Sequence, residues 1–242
     1  MKLQSTIKYQ VFELRRSLLI FYSIMLSILL LSTFSLMNFS SGVVEIRGTD
    51  MASMIFIFIV GLNSFRENFL FSQANGVSRK TQFKGFIVAI LLMASFMAII
   101  DMLYTHLFSS VIPYLSFFSM IYGPSYLMNS APFPQMFDGL LWSFFLYAMF
   151  AMLGYFVNLV FYRSGLIMKL IVSIVPPIFI LIVLPYLAYI NPILSRWILD
   201  FTSMALGLSG TPNAYSAMLT FAIAFIIFAG GSFLLIRRAP IK

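Results

Sequence analysis

Six long apolar runs are the feature that most constrains what this chain can fold into. Each run, wound into a helix, is roughly long enough to cross the hydrocarbon core of a bilayer. The 242 residues are 61% hydrophobic and only 9% charged, whereas an ordinary soluble domain has about 25% charged residues. We therefore predict an all-α membrane protein with six transmembrane helices, near residues 17–37, 50–65, 85–104, 139–161, 166–190 and 214–235.

Lys and Arg are divided unequally between the two sides that such helices define. With the N-terminus inside, all 15 basic residues except Arg47 and Arg196 fall on the inner side. Membrane proteins usually carry their excess of basic residues in cytoplasmic segments. The net charge of +8 therefore indicates topology and not a nucleic-acid partner. Both termini are predicted to be cytoplasmic.

The first run is preceded by a short amphipathic stretch. We predict that residues 1–16 form an interfacial helix in the headgroup layer. The basic start followed by an apolar run resembles a signal peptide, but no small-residue cleavage pattern follows, so a retained first span is expected. The apolar positions that share one helical face are Leu3, Ile7, Val11, Leu14 and Leu18.

Residues 64–84 form the longest polar interruption of the chain. Phe65 and Phe69 are four residues apart and share a helix face. Asn75 and Gly76 form a stop-or-turn pair, and Ser78 stands where an N-cap would start the next helix. This pattern predicts a short amphipathic helix between the second and third spans.

Residues 191–213 are too apolar for a free loop and too interrupted for a span. Their apolar side chains recur at three- and four-residue intervals, which is helical spacing. We predict a re-entrant helical segment before the last span. The residues with this spacing are Leu194, Trp197, Ile198 and Phe201.

Three further expectations concern the middle of the chain. Asp101 falls near the end of the third run, so its carboxylate is expected at the outer water interface, where a charge costs little. The Tyr- and Phe-rich residues 105–138 are expected to form an interfacial aromatic belt. The prolines Pro176, Pro177 and Pro185 should kink or break the fifth span.

No pattern in the sequence predicts catalysis or a bound cofactor. A phosphate-binding Gly-x-x-x-x-Gly-Lys-Ser/Thr loop does not occur, so any use of ATP requires another chain. His106 is the only histidine and there is no cysteine, which argues against a metal site. We predict a protein that is not an enzyme and that has no metal or cofactor of its own.

Two other function classes stay open. An ion-coupled carrier or a channel would need acids, histidines or unwound helices at midplane depth, and the central parts of the spans hold no obvious charge. A rhomboid-like intramembrane protease is the more remote alternative. The run Gly207-Leu208-Ser209-Gly210 is similar to the Gly-x-Ser-Gly of that family, but His106 lies a hundred residues earlier and the serine has no placed base.

The layout as a whole resembles a permease subunit of the type-2 ATP-binding-cassette (ABC) exporters. It consists of an amphipathic start, six spans with both ends inside, a sizeable loop after the second span and a half-inserted segment before the sixth. The most specific local element is the run of residues 75–83, Asn-Gly-Val-Ser-Arg-Lys-Thr-Gln-Phe. It is similar to the Gly-x-Ser-Arg-Lys stretch that often opens the third span in this family. The resemblance covers residues 1–242 as a single transmembrane permease domain.

The resemblance implies an ATP-driven exporter in the bacterial plasma membrane. An apolar, aromatic and Met-rich lining would suit an amphipathic cargo, which we take to be a peptide. Two permease subunits would pair as a homodimer in the lipid bilayer, each on a cytoplasmic ABC ATPase subunit that binds ATP and Mg²⁺. Residues 64–84 would be the coupling loop, and residues 191–213 would close the outer end. The residues expected to couple to the ATPase are Phe65, Arg66, Glu67, Phe69, Leu70, Phe71, Arg79 and Lys80, and those of an outer gate are Trp197, Ile198 and Phe201.

Overall fold

The computed structural model describes residues 2–39, 45–129 and 132–237. Arg238 and Lys242, which the sequence argument counted on the inner side, lie outside the described residues. The structure is almost wholly helical. Its elements are α1 (Lys2–Phe39), β1 (Ile46–Arg47), α2 (Asp50–Asn63), α3 (Arg66–Ala74), α4 (Arg79–Ser109), β2 (Tyr114–Leu115), α5 (Phe117–Asn129), α6 (Pro132–Arg163), α7 (Leu166–Ile178) with a π-helical turn (Phe179–Val183), α8 (Leu184–Ile190), α9 (Pro192–Ala205) and α10 (Ala214–Arg237).

Five helical segments are long and apolar enough to cross a membrane. A sixth is possible if α2 and α3, which are bent by 40° at a short break, count as one span. The prediction of a multi-pass all-α membrane protein is confirmed at this level. The five long segments are Gln4–Asn38, Arg79–Ser109, Pro134–Arg163, Ile167–Ile190 and Ala214–Arg237.

The first helix differs from its prediction. α1 runs without interruption from Lys2 to Phe39, so the described part of residues 1–16 is not a separate interfacial helix. Its inward face there is polar, because Thr6 and Gln10 are buried against Gly85 of α4. Val11, one of the apolar positions, is 40% exposed. The lipid can cover apolar side chains, whereas the polar ones need the protein around them.

The helices α2 and α6 pack against one another at very short distance. A Cβ atom on Gly61 would lie 2.1 Å from the carbonyl oxygen of Ala151, and one on Gly154 would lie 2.2 Å from that of Phe58. Small residues allow such close approach in membrane helices, where van der Waals contact and weak Cα–H···O bonds drive association. The two glycines therefore hold α2 against the middle of α6.

The fifth span contains its prolines without breaking. Pro176 and Pro177 lie inside α7, and the chain continues through a π-helical turn into α8, which has Pro185 in its first turn. A wider π turn accommodates backbone carbonyls that have lost their donors. The predicted break is therefore replaced by a local change of helical pitch within one continuous span.

Several aromatic side chains of the described residues between 105 and 138 pack into the body of the protein, where the sequence predicted an interfacial aromatic belt. β1 and β2 pair in parallel, with Ile46 opposite Tyr114, and the buried Phe118 and Tyr122 of α5 pack on Trp142 of α6. Burial raises the pKa of Tyr114 to about 12, so its hydroxyl stays protonated at neutral pH. The sequence did not predict this small sheet.

Both ends of the described chain lie at the same end of the helix bundle. The start of α1 contacts α3 through the stacked rings of Tyr9 and Phe71. The guanidinium of Arg79 donates to the carbonyl of Arg237 at 2.8 Å. Arg163 and Arg237 line one cavity. We call this the basic end; the sheet, α5 and α9 lie at the opposite end.

The contact of α2 with α6 predicts that an added methyl group lowers stability at Gly154 but not at Gly230. Gly154→Ala should force the two helices apart and lower stability by about 1–3 kcal/mol, the usual cost of overpacking. Gly230→Ala is the matched control, because a Cβ there meets no atom within 4 Å and alanine favours a helix. The melting midpoint of each purified variant in detergent measures the effect. Equal midpoints for the two variants would contradict the close packing.

Candidate functional site

The helix α3 has two different faces, which fall on opposite sides because of its helical spacing. One face consists of buried residues. Phe65, just before the helix, and Phe69 are fully buried, and Asn68 and Ser72 on the same face are buried as well. The other face is exposed and carries Arg66, Glu67, Phe71 and Ala74, with Leu70 half-buried at its edge. The predicted amphipathic helix is therefore present.

The buried face of α3 joins an aromatic cluster that connects three helices. Phe65 and Phe69 stack with ring centroids 4.9 Å apart. Phe65 meets Tyr162 of α6 edge-on at 5.1 Å and Tyr155 at 5.7 Å. Phe83 of α4 lies 6.2 Å from Tyr155. Such aromatic pairs add about 0.5–1.5 kcal/mol each beyond their buried area, so α3 is bound firmly to α4 and α6.

The basic residues after α3 divide between two environments. Arg79 is half-buried, lies 5.8 Å from the ring of Phe69 and donates to the carbonyl of Arg237 at the end of α10. A cation at a helix C-terminus is favourable because of the helix dipole. Lys80 is exposed. Arg79 therefore connects α3, α4 and α10, while Lys80 is accessible from outside.

The bend between α2 and α3 leaves backbone carbonyls that side chains of the protein satisfy. Asn158 of α6 donates to the carbonyl of Leu62, and Asn68 donates to that of Ser64 at 3.1 Å. An unsatisfied carbonyl at membrane depth costs several kcal/mol. These amides allow a bend at the point where α3 begins.

The residues predicted for an outer gate lie on α9, at the end opposite to α3. Asn191 caps this helix by accepting from the backbone N–H groups of Ile193 and Leu194. Trp197 is 73% exposed and Phe201 is 70% exposed, whereas Ile198 is half-buried. Trp197 and Phe201 therefore leave most of their surface uncovered by the described part of the chain, where lipid or another subunit can meet it.

The residue most misjudged from the sequence is Asp101. It is buried at 7% exposure and not at the water's edge, and its Oδ2 accepts from the hydroxyl of Tyr147 at 2.5 Å. Asp50 is buried nearby and accepts from the backbone N–H of Phe117 with both carboxylate oxygens, at 2.9 and 2.8 Å. The polar surroundings of the two acids were not visible in the sequence, because the residues that form them come from separate segments of the chain.

The two acids line a cavity of about 160 Å³ at the opposite end. Hydroxyl groups of Thr105, Ser116 and Ser143 line it as well. A pair of buried carboxylates in such a cavity can hold a proton or a cation. In the described part of the chain no three acidic or histidine side chains are grouped closely enough to bind a metal.

The protease alternative receives no support from geometry. Ser209 is exposed in the turn after α9, and His106 is exposed at the end of α4. No hydrogen bond joins their side chains in the residues that the structure describes. The two glycines of this motif are explained by the backbone conformation of the turn. Gly207 and Gly210 have φ of 67° and 85°, which favour glycine.

The hydrogen bond between Tyr147 and Asp101 predicts a stability effect. Tyr147→Phe should lower stability by about 1–3 kcal/mol, because the buried carboxylate loses its donor. Tyr186→Phe serves as the control, since Tyr186 is 63% exposed. Thermal unfolding in detergent checks both variants. An unchanged midpoint for Tyr147→Phe would mean that Asp101 is not held by this bond.

Two sites are thus present in the described chain: the two-faced helix α3 at the basic end, and the acidic cavity at the opposite end. The first site is bound to α4, α6 and α10 through aromatic rings and Arg79. The second is enclosed by Asp50 and Asp101. No protein-family model, no curated protein and no solved structure matches the chain.

Proposed function

We propose that this chain is the transmembrane subunit of an ATP-driven exporter similar to the type-2 ABC exporters, and that it moves an amphipathic peptide out of the cell. One observation carries the proposal: α3 exposes Arg66, Glu67 and Phe71 on one face while its other face is buried in the bundle. A helix of this kind can receive a partner on its exposed face and pass the motion inward. The ATP and Mg²⁺ belong to the partner ATPase.

The packing of α3 supports this transmission. Phe65 and Phe69 are fully buried, so their role is to hold α3 to α6 and not to touch the ATPase. The contacts with the ATPase fall to Arg66, Glu67 and Phe71, with Leu70 and Lys80 beside them. Because α2 packs tightly on α6 through Gly61 and Gly154, a displacement of α3 would move α2 and α6 together.

The charges at the two ends support the orientation. Arg66, Arg79, Arg163 and Arg237 lie at the basic end, together with α3. Cytoplasmic segments of membrane proteins are enriched in Lys and Arg, so the basic end faces the cytoplasm in the proposal. Both chain ends and the coupling helix then meet the ATPase side of a plasma membrane.

The uncovered fifth span supports pairing with a second permease subunit. No residue in the apolar core of Ile167–Ile190 is buried within the chain. In the proposed homodimer this span and α9 are available to a second copy. Trp197, Ile198 and Phe201 would then form the outer gate between the subunits, while lipid covers the remaining apolar surface.

The proposed exporter predicts that changes on the exposed face of α3 separate the chain from its ATPase. Glu67→Ala or Phe71→Ala should weaken association with the ATPase by roughly tenfold, which corresponds to about 1.4 kcal/mol at an interface. Membrane insertion should stay unchanged for both variants, and the melting midpoint should stay unchanged for Glu67→Ala, whose side chain is exposed. Phe71→Ala should lower the midpoint slightly, because it removes the stacking of Phe71 on Tyr9. Copurification of the nucleotide-hydrolysing subunit from the native host in mild detergent measures the loss.

Asp200→Ala provides the control for that experiment, because Asp200 is exposed on α9 at the opposite end. This variant should copurify with the ATPase as the unchanged protein does. If no ATPase copurifies even with the unchanged chain, or if residues 66–84 are labelled from outside intact cells, the exporter proposal is wrong.

An ion-coupled carrier is the second candidate, and the buried acids favour it. Asp101 and Asp50 line a cavity with several hydroxyl groups, which is an arrangement that carriers use to bind protons or cations. In that case the purified chain alone, in proteoliposomes, should transport in response to a pH or sodium gradient. Asp101→Asn should abolish that transport. Transport that requires ATP and a second subunit would favour the exporter instead.

A further inference from the structure

A crevice of about 460 Å³ lies at the basic end between α1 and the bend from α2 to α3. Its lining combines apolar side chains, among them Leu14, Phe56 and Val60, with polar ones, among them Glu13, Asn68 and Asn158. Volumes of this size suit a small ligand or one large side chain. The crevice is therefore shaped for a group that has both an apolar and a polar part.

Two stacked aromatic pairs limit the crevice along α1. Phe21 stacks on Phe56 with ring centroids 4.2 Å apart, and Tyr9 stacks on Phe71 at 4.6 Å. Tyr9 and Phe21 are twelve positions apart, which corresponds to about 18 Å along a helix. Between these pairs Glu13 of α1 lies within hydrogen-bonding reach of Asn68 of α3, and the crevice beside them opens the side of the bundle between α1 and the bend. We call this opening the window.

The charges in this window are unbalanced. The carboxylates of Glu13 and Glu67 lie close enough to repel one another. Arg66 also lines the crevice, but within the described residues it forms no salt bridge with either acid. The lining therefore carries two acidic groups and one basic group, and a second cation would reduce the repulsion between the acids.

A separate observation also points to a ligand with hydrogen-bond donors. The carboxamide of Asn68 lines the crevice and lies beside Glu13. Asn68 is only 5% exposed, and its Oδ1 has no hydrogen-bond partner in the described part of the structure. A buried acceptor without a donor is costly. An ammonium or guanidinium group in the crevice would supply donors to both carboxylates, and to Oδ1 after a small rotation of the Asn68 carboxamide.

From these observations we propose that the window binds a Lys or Arg side chain of a cationic amphipathic peptide, whose apolar residues lie against Leu14, Phe56 and Val60. The inference rests on the proposed export function and names the class of its cargo. The cationic group is held by Glu13, Glu67 and Asn68. The basic side chain occupies the window itself, and the rest of the peptide lies outside it, along α1.

Peptide binding to the full chain in nanodiscs of phosphatidylglycerol tests the inference. The probes are a fluorescent amphipathic peptide of Leu and Lys, and its analogue with Glu at each Lys position. The Lys peptide should bind more tightly to the unchanged chain than to Glu13→Gln, by about tenfold, as expected for a charge-assisted hydrogen bond. Glu45→Gln is the control and should bind like the unchanged chain, because Glu45 is outside the crevice and pairs with Arg47.

Because both probes must partition into an anionic membrane, the decisive comparison is between variants and not between peptides. Equal affinity of the Lys peptide for Glu13→Gln and Glu45→Gln would overturn the inference. So would loss of peptide binding when phosphatidylethanolamine is added, since an amine-bearing lipid would then be the occupant. Preferential binding of the Glu peptide would also overturn it.

Copurification of the ATPase separates this inference from the exporter proposal. Glu13 is not among the residues assigned to ATPase contact, so Glu13→Gln should retain the ATPase while losing the peptide. Loss of the ATPase from the unchanged chain would count against the exporter alone. Retention of both peptide and ATPase by Glu13→Gln would count against the peptide site alone.

Discussion

The close contact of α2 with α6 is the constraint on which the rest of the structure depends. Gly61 and Gly154 each face a backbone carbonyl of the other helix, and no larger residue fits there. In a bilayer the apolar surface of a helix gains little by leaving lipid, so close packing of small residues has to supply the association. Once α2 is fixed on α6, the break after Asn63 determines where α3 leaves the bundle, and the aromatic cluster determines its orientation.

The bend between α2 and α3 shows how polar side chains serve the backbone in such a fold. Ending α2 leaves carbonyls without intrahelical donors, and such carbonyls, where they are buried, need a hydrogen-bond partner from the protein. Asn158 and Asn68 donate to two of these carbonyls. The same amide of Asn68 leaves its oxygen unpaired beside the crevice. Asn68 therefore contributes both to the stability of the bend and to the polarity of the candidate peptide site.

Sequence patterns predicted most of the helices, but not which face of each helix is turned toward the rest of the protein. The shared face of Phe65 and Phe69 followed from their four-residue spacing, and the helix after Ser78 followed from its cap, whose side chain accepts from the N–H of Thr81. Asp101 was placed correctly along its helix, close to the end of α4, but wrongly around it. In a helix that is apolar on all sides, periodicity does not show which face meets protein and which meets lipid. The π-helical turn after Pro177 could not be predicted either. Prolines in a sequence indicate that a helix is disturbed, but they do not show whether the result is a kink, a break or a π-helical turn.

The proposed ATPase contact and the proposed peptide site both include residues of α3, and this has a thermodynamic consequence. Phe71 lies on the exposed face of α3 and stacks on Tyr9. The aromatic pair that limits the window at Tyr9 is therefore also part of the proposed ATPase-contact surface. An ATPase that moves α3 would change the separation of α1 and α3, and with it the distance between Glu13 and Glu67. A cargo that binds both arrangements equally would shift nothing. Directional export in this scheme requires that the arrangement favoured by the nucleotide bind the cationic group more weakly, and the repulsion between the two acids gives the window a means of distinguishing them.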